Sequence, residues 1–191
     1  MRHAVPALLI CTALICQTAI AADDSERARL GRGELIISRK PVKGSDMPEH
    51  TIKGVIDAPA ARLWKVIDLC DNYKGVMPRT KASKEISRKG NVILCRVTID
   101  MPFPISDLTA TTRAIHTVRK GFWQRAWTLA EGDYKINTGS WTLAPFDAAG
   151  KRTMVVYRVH AEPNIPVPVW IMKKAARSTL PDLIDAVAKA G

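Results

Sequence analysis

From residue 93 onward, apolar and polar positions alternate. Ile93, Cys95, Val97, Ile99 and Met101 fall on one side, with Arg96, Thr98 and Asp100 on the other. A period of two predicts a strand with one buried face. Leu108–Val118 repeats the pattern with Leu108, Ala110, Ala114 and Val118, and Thr112 and His116 lie among them. Phe122–Leu129, Gly139–Pro145 and Thr153–Ala161 continue the series, with Lys120-Gly121 and Ala149-Gly150 at the joints, where glycine supplies turns. Two earlier segments, Glu34–Arg39 and His50–Asp57, also read as strands. Strands joined by loops this short predict an antiparallel sheet.

Elsewhere the period is helical. Pro59 suits a first helical turn, and Leu63, Val66, Ile67 and Cys70 then recur at i, i+3, i+4 and i+7. Asp71-Asn72-Tyr73 begins a second short helix that Pro78 ends. The chain closes with Val167–Ala190, where Trp170, Ala176, Leu180, Leu183, Ile184 and Val187 form an apolar stripe. Pro181 lies inside it and predicts a break or kink. Strand, short helices, a run of strands and one long helix make an α+β fold. The terminal helix must bury its stripe, and the concave face of a curved sheet offers the place.

The N-terminus reads differently. Arg2 and His3 precede an apolar run from Ala4 to Ile20, broken only by Thr12, Gln17 and Thr18, and Ala19-Ile20-Ala21 offers a small-x-small cleavage pattern. The run is short for a membrane span, so residues 1–21 are expected to be a signal peptide and the protein periplasmic or secreted. Residues 22–33 are charged and glycine-punctuated, a flexible lead-in with at most a short helix, and residues 34–191 form the domain. Cleavage removes one cation and no acid, so a net charge of +11 becomes +10. Cys70 and Cys95 then remain, either bonded to each other, as an oxidising compartment allows, or as two buried thiols. The basic residues are scattered and lack interleaved stacking aromatics or a recognised motif, so nucleic acid is not an expected partner. Peripheral attraction to an anionic membrane fits them better.

Four stretches carry a family resemblance: Ile56-Asp57-Ala58-Pro59-x4-Trp64; Pro102-Phe103-Pro104-Ile105-Ser106-Asp107; Gly139-x-Trp141-x-Leu143-x-Pro145 followed by Thr153-x-Val155-x-Tyr157-x-Val159; and Ile165-Pro166-x3-Trp170 with Ala176-Arg177-x2-Leu180-Pro181. In this order the chain resembles the START/SRPBCC superfamily over about residues 34–190. The resemblance implies a helix-grip fold, a curved antiparallel sheet wrapped around a long C-terminal helix, that binds or transfers a lipid or other hydrophobic small molecule. The chain departs from START domains at Leu108-Thr109, where Arg-Asp usually follows Ser-Asp. The short connection Glu131–Asn137 suggests a small lid.

A helix closing over a curved sheet leaves a cavity wherever inward side chains do not fill it. The inward candidates are Ile93, Val97, Ile99, Trp141, Leu143, Val155, Tyr157, Trp170 and Leu180. Phe103 and Ile105, between prolines in a loop, are read as the mouth. His116, Arg125 and Tyr157 are the polar groups available to orient a ligand head. Beyond residue 21 the histidines are His50, His116 and His160, far apart and without metal-ligand spacing. There is no Gly-x-Ser-x-Gly and no P-loop. No cofactor or metal is expected, and a non-enzymatic binding protein is the reading. The alternatives are a polyketide cyclase/aromatase-like enzyme using His116 or Tyr157 as acid or base with Arg125 stabilising an anion, and a protein-interaction module.

Overall fold

A computed structural model of the protein describes residues 26–191, without the side chains of residue 169 and residues 172–178. The expected signal peptide, residues 1–21, lies outside the described residues. Residues 26–31 are helical (α1). Then follow β1 (Ile36–Lys40), β2 (Glu49–Ile56), α2 (Ala60–Asp68), a single 3-10 turn (Cys70–Asn72), α3 (Tyr73–Val76), β3 (Thr80–Lys89), β4 (Val92–Ile99), β5 (Leu108–Arg119), β6 (Phe122–Gly132), β7 (Tyr134–Pro145), β8 (Thr153–Pro163) and α4 (Val169–Ala190). The strands form one antiparallel sheet in the order β1-β2-β8-β7-β6-β5-β4-β3. The sheet curves around α4, the helix-grip arrangement.

One expectation, a break at Pro181, is corrected, and two further features emerge. Thr80–Lys89 is a strand that apolar alternation did not signal, because it is the sheet's far edge and is largely exposed. α4 continues through Pro181 without a break. The lead-in packs on the domain: Leu30 is fully buried, Arg27 stacks over Phe146 at 4.3 Å, and Lys53 pairs with Glu26 at 2.6 Å.

The concave face is divided along its length. At one end Ile93 of β4, Ala114 of β5, Leu143 of β7 and Val155 of β8 are sealed from solvent in one cluster with Leu63 and Ile67 of α2 and Ile184 and Val187 of α4. Two polar ties hold α2 here. The Thr153 hydroxyl donates to the Ala58 carbonyl at 2.6 Å, and His116 of β5 meets Asp68 at 2.9 Å. Further along the same strands the side chains are Val97 and Ile99, Ala110 and Thr112, and Val159 and Ala161, and α2 does not reach the space above them.

A Cys70–Cys95 disulfide bridges the turn after α2 to β4, with Cα atoms 5.9 Å apart, and so decides between the two readings left open above. It closes a loop across a sequence separation of 25. A Cys70→Ala/Cys95→Ala variant is expected to lose about 2–4 kcal/mol of stability, read from denaturant unfolding. An unchanged midpoint would show the bond to be dispensable.

Candidate ligand-binding site

The unfilled half of the concave face is a cavity of about 270 Å³ between the sheet, α3 and α4. Its walls are mainly apolar and aromatic: Tyr73 and Met77 from the α3 region, Val97 and Ile99 from β4, Trp127 from β6, Trp141 from β7, Tyr157 and Val159 from β8, and Leu180 and Leu183 from α4. A second hollow of about 210 Å³ shares Tyr134, Val159, Ala161, Thr179 and Leu180 with the first. It extends the space toward Met101, Pro163, Val167 and Ile171. His50 also lines it, and the His50 Nδ1 is buried without a partner. Burial, and then the charge of Arg39, lowers the pKa of this imidazole.

Of the sequence candidates, Val97, Ile99, Arg125, Trp141, Tyr157 and Leu180 line the cavity together. Ile93, Leu143 and Val155 do not. They share the correct face but lie at the end that α2 fills, and each is 0% exposed. Trp170 is 57% exposed, and Ile171 is buried in its place. A step of one residue turns a helix by about 100°, so turning Ile171 inward swings Trp170 out. Phe103, 92% exposed, touches neither hollow, and nor does the half-buried Ile105. Met101 and Leu108, which flank that loop, line the second hollow instead. His116 is buried beside the cavity rather than in its wall.

Aromatic packing shapes the cavity. Tyr157 lies 4.5 Å from Trp141 and 5.9 Å from Trp127 between ring centroids. Trp127 Nε1 donates to Asn137 Oδ1 at 3.0 Å, which fixes the indole. Gly139 makes this possible: any Cβ there would collide with the Trp127 ring and the Arg158 carbonyl. Burial, reinforced by Tyr73 and Tyr134, raises the Tyr157 pKa, and burial beside Asp133 pushes Tyr134 up to about 12. Both phenols therefore stay protonated at neutral pH.

The polar end is a chain of contacts. Arg125, 2% exposed, sits in register with His116 on β5 and Trp141 on β7. Arg125 Nη1 meets His116 Nε2 at 2.8 Å, and His116 Nδ1 meets Asp68 Oδ1 at 2.9 Å. Asp68 in turn accepts from Arg88 at 2.8 Å, and Arg88 also binds Glu85. Burial, and then the Arg125 charge, pushes the His116 pKa down to about 4. The imidazole is therefore neutral at pH 7. It accepts from Arg125 at Nε2 and donates to Asp68 from Nδ1, the only tautomer that satisfies both contacts. Trp64 packs its ring 5.0 Å from the imidazole, edge to face. Sequence reading missed Asp68, and it missed Tyr73, Met77, Tyr134 and Asn137 in the walls. Their roles arise from long-range packing that no local spacing announces.

A Ser45–His160–Glu162 group stands apart from the cavity. His160 Nε2 lies 2.9 Å from Ser45 Oγ, and Ser45 also bonds Glu162 and the Met47 amide. The hydroxyl is held by its own loop and pins that loop to β8. Among the described residues no group of His, Cys, Asp or Glu is placed to hold a metal ion, and no helix is long and apolar enough to cross a membrane.

Residues 56–188 match the family described as polyketide cyclase / dehydrase and lipid transport, and the chain belongs to it. Comparison with curated proteins finds no match. Among solved structures, a STAR-related lipid transfer protein from Xanthomonas axonopodis superposes with a TM-score of 0.70 at 19% identity, covering 81% of this chain and 92% of that one. Human StAR-related lipid transfer protein 5 gives 0.69 at 13%, covering 94% and 97%. The Zhui aromatase/cyclase from Streptomyces sp. R1128 gives 0.59 at 17%, covering 82% and 94%. At these identities the likeness establishes the START-like fold.

The His116 shift has a measurable consequence. The unfolded chain takes up this proton near pH 6.5, the folded one only near 4. The neutral imidazole's contribution is therefore complete above pH 6.5 and is lost as pH falls toward 4. Stability from urea unfolding should decline across that window. His116→Gln, whose amide can bridge the same two partners, should flatten the decline, leaving the part due to His50 and, toward pH 4, to paired carboxylates such as Glu85 and Glu162 whose pKa is lowered. Identical pH profiles for the two proteins would refute the assignment.

Proposed function

We propose that this protein is an exported, non-enzymatic carrier or sensor of one hydrophobic small molecule or lipid. The cavity between α4 and the sheet carries this reading: an aromatic and apolar space with Arg125 in its wall. Desolvating a ligand there would supply roughly 25 cal/mol per Å² of apolar area removed from water. At about 270 Å³ the space is at the small end of ligand sites, which favours a single chain or compact ring system over a two-chain phospholipid. The family description includes lipid transport and the names of two structural neighbours include lipid transfer, which supports the reading. The Cys70–Cys95 bond suits an oxidising compartment and so agrees with export.

The family description also names cyclases, and one structural neighbour is an aromatase/cyclase. The geometry favours binding, because the His116 nitrogen an acid–base role would need is engaged by Arg125. A protonated Tyr157 could hydrogen-bond a ligand carbonyl and serves either reading.

Delivery would take place at a membrane surface. Phe103, Ile165 and Trp170 are 92%, 40% and 57% exposed and adjoin in sequence the segments that line the second hollow. Exposed apolar groups that adjoin cavity-lining segments in sequence, on a strongly basic protein, suit the anionic lipid interface.

Native mass spectrometry of protein purified gently from its own compartment should show a bound apolar mass. Narrowing the cavity with Ala110→Phe, in a variant whose unfolding remains cooperative, should abolish the adduct. Persistence of the adduct in that variant, or a bare wild type never exposed to detergent, would count against the carrier. Co-sedimentation with anionic vesicles should weaken as salt rises and fall several-fold in Phe103→Ser/Trp170→Ser. Salt-insensitive binding would rule out the membrane contact.

A further inference from the structure

The chemistry of the ligand's head can be read from Arg125. Among the described residues the cavity wall contains two guanidinium groups, Arg79 and Arg125, and no carboxylate. Arg79 is exposed at the rim and already engaged, donating to the Asp100 backbone carbonyl at 2.6 and 2.8 Å and to its carboxylate at 3.3 Å. Arg125 is different. It is almost wholly buried, and among the described residues its one side-chain hydrogen bond goes to a neutral imidazole. No ion pair among the described residues includes it. The nearest acid in its network, Asp68, stands beyond His116 and is shared with Arg88. The Tyr73 ring, 5.5 Å from the guanidinium carbon, offers its π-face and no charge.

A guanidinium does not lose its proton in a protein, and a buried cation without a counter-ion is costly. The neutral His116 makes the situation sharper, because its Nε2 takes a single N–H and leaves the other donors of the fork unused. Arg125 sits level with Trp141 and Tyr157, whereas the second hollow begins further along β8, at Val159, Ala161 and Pro163. The unused donors therefore belong to the end of the cavity remote from that hollow. Asn137 lines the cavity further along, level with Ala161 and so nearer the second hollow, and its carbonyl is engaged by Trp127.

We propose that Arg125 is the anion-binding group of this cavity, and that the ligand is an apolar molecule ending in a carboxylate that enters head first. This rests on the carrier reading above. The carboxylate would take up the free donors of the guanidinium fork, and the apolar body would lie along Trp127, Trp141, Tyr157 and Leu180 toward the second hollow. The body is either an acyl chain or a ring system.

The test compares matched probes on the delipidated protein at pH 7.5 by calorimetric titration. Dodecanoate is set against dodecanol, and 2-naphthoate against 2-naphthamide. A charge-assisted hydrogen bond in a desolvated site is expected to favour the acid by about tenfold or more in at least one pair. The pair that shows the preference tells chain from ring. Arg125→Met should erase the preference while leaving the neutral probe within about twofold of wild type on that estimate. Arg125→Lys should restore part of it, and wild type against Arg125→Lys carries the test if the Met variant does not fold. Equal affinity for acid and neutral partner in both pairs, or a preference that survives Arg125→Met, overturns the anion assignment and leaves the carrier standing. Failure of all four probes to bind overturns both.

Discussion

A curved sheet of eight strands presents more concave surface than one helix can cover, and this structure is governed by where the extra cover lands. The short helix α2 supplies it. Tied at its start to Thr153 and at its end to His116, α2 fills one end of the concavity with Leu63 and Ile67. The other end has α4 above it, with the single turn of α3 at its side, and remains hollow. The disulfide from the turn after α2 to β4 pins the boundary between the two, since Cys95 is both half of the bridge and part of the cavity wall. Stability and capacity to bind are thus two ends of the same set of strands.

The boundary is also where the polar groups gather. Arg125, His116 and Asp68 run from the cavity, under the sealed core, to the surface pair of Arg88 and Glu85. Each member is satisfied on one side by the next, so the chain brings a positive charge to the cavity wall without placing an acid there. A buried guanidinium held directly by a carboxylate would be better compensated in the empty protein, but it would have less to offer a ligand. Routing the contact through a neutral imidazole keeps the fork oriented while leaving its charge largely uncancelled.

Much of the fold was legible in the sequence because alternation assigns faces. Ile93, Val97 and Ile99 do share the concave side, as do Tyr157 and Val155, and Arg125 and Trp141 project to that side from their own strands. Alternation cannot say how far along a strand the filling helix reaches. Ile93, Leu143 and Val155 were therefore grouped with true wall residues, although the contacts that separate them are made by α2, distant in sequence. The edge strand Thr80–Lys89 escaped notice for a related reason: a strand that buries little carries little pattern. The disulfide could not be chosen over free thiols until the Cα separation was known.

The misplacement of Trp170 follows from the same physics. An apolar stripe on a helix marks residues able to be buried, and a helix whose first turn reaches the rim of a hollow need not bury all of them. Ile171 turns under, and Trp170 is left outside, as is Ile165 in the preceding loop. For a purely structural helix an exposed tryptophan in the first turn brings no gain. For a helix that closes a cavity opening at its N-terminal end, it places an amphipathic ring where the protein would meet a membrane. The same aromatic that sequence reading assigned to the interior then belongs to the approach to it, and on the function proposed above the exposed rim would meet lipid, the apolar walls would desolvate it and the buried arginine would select its head.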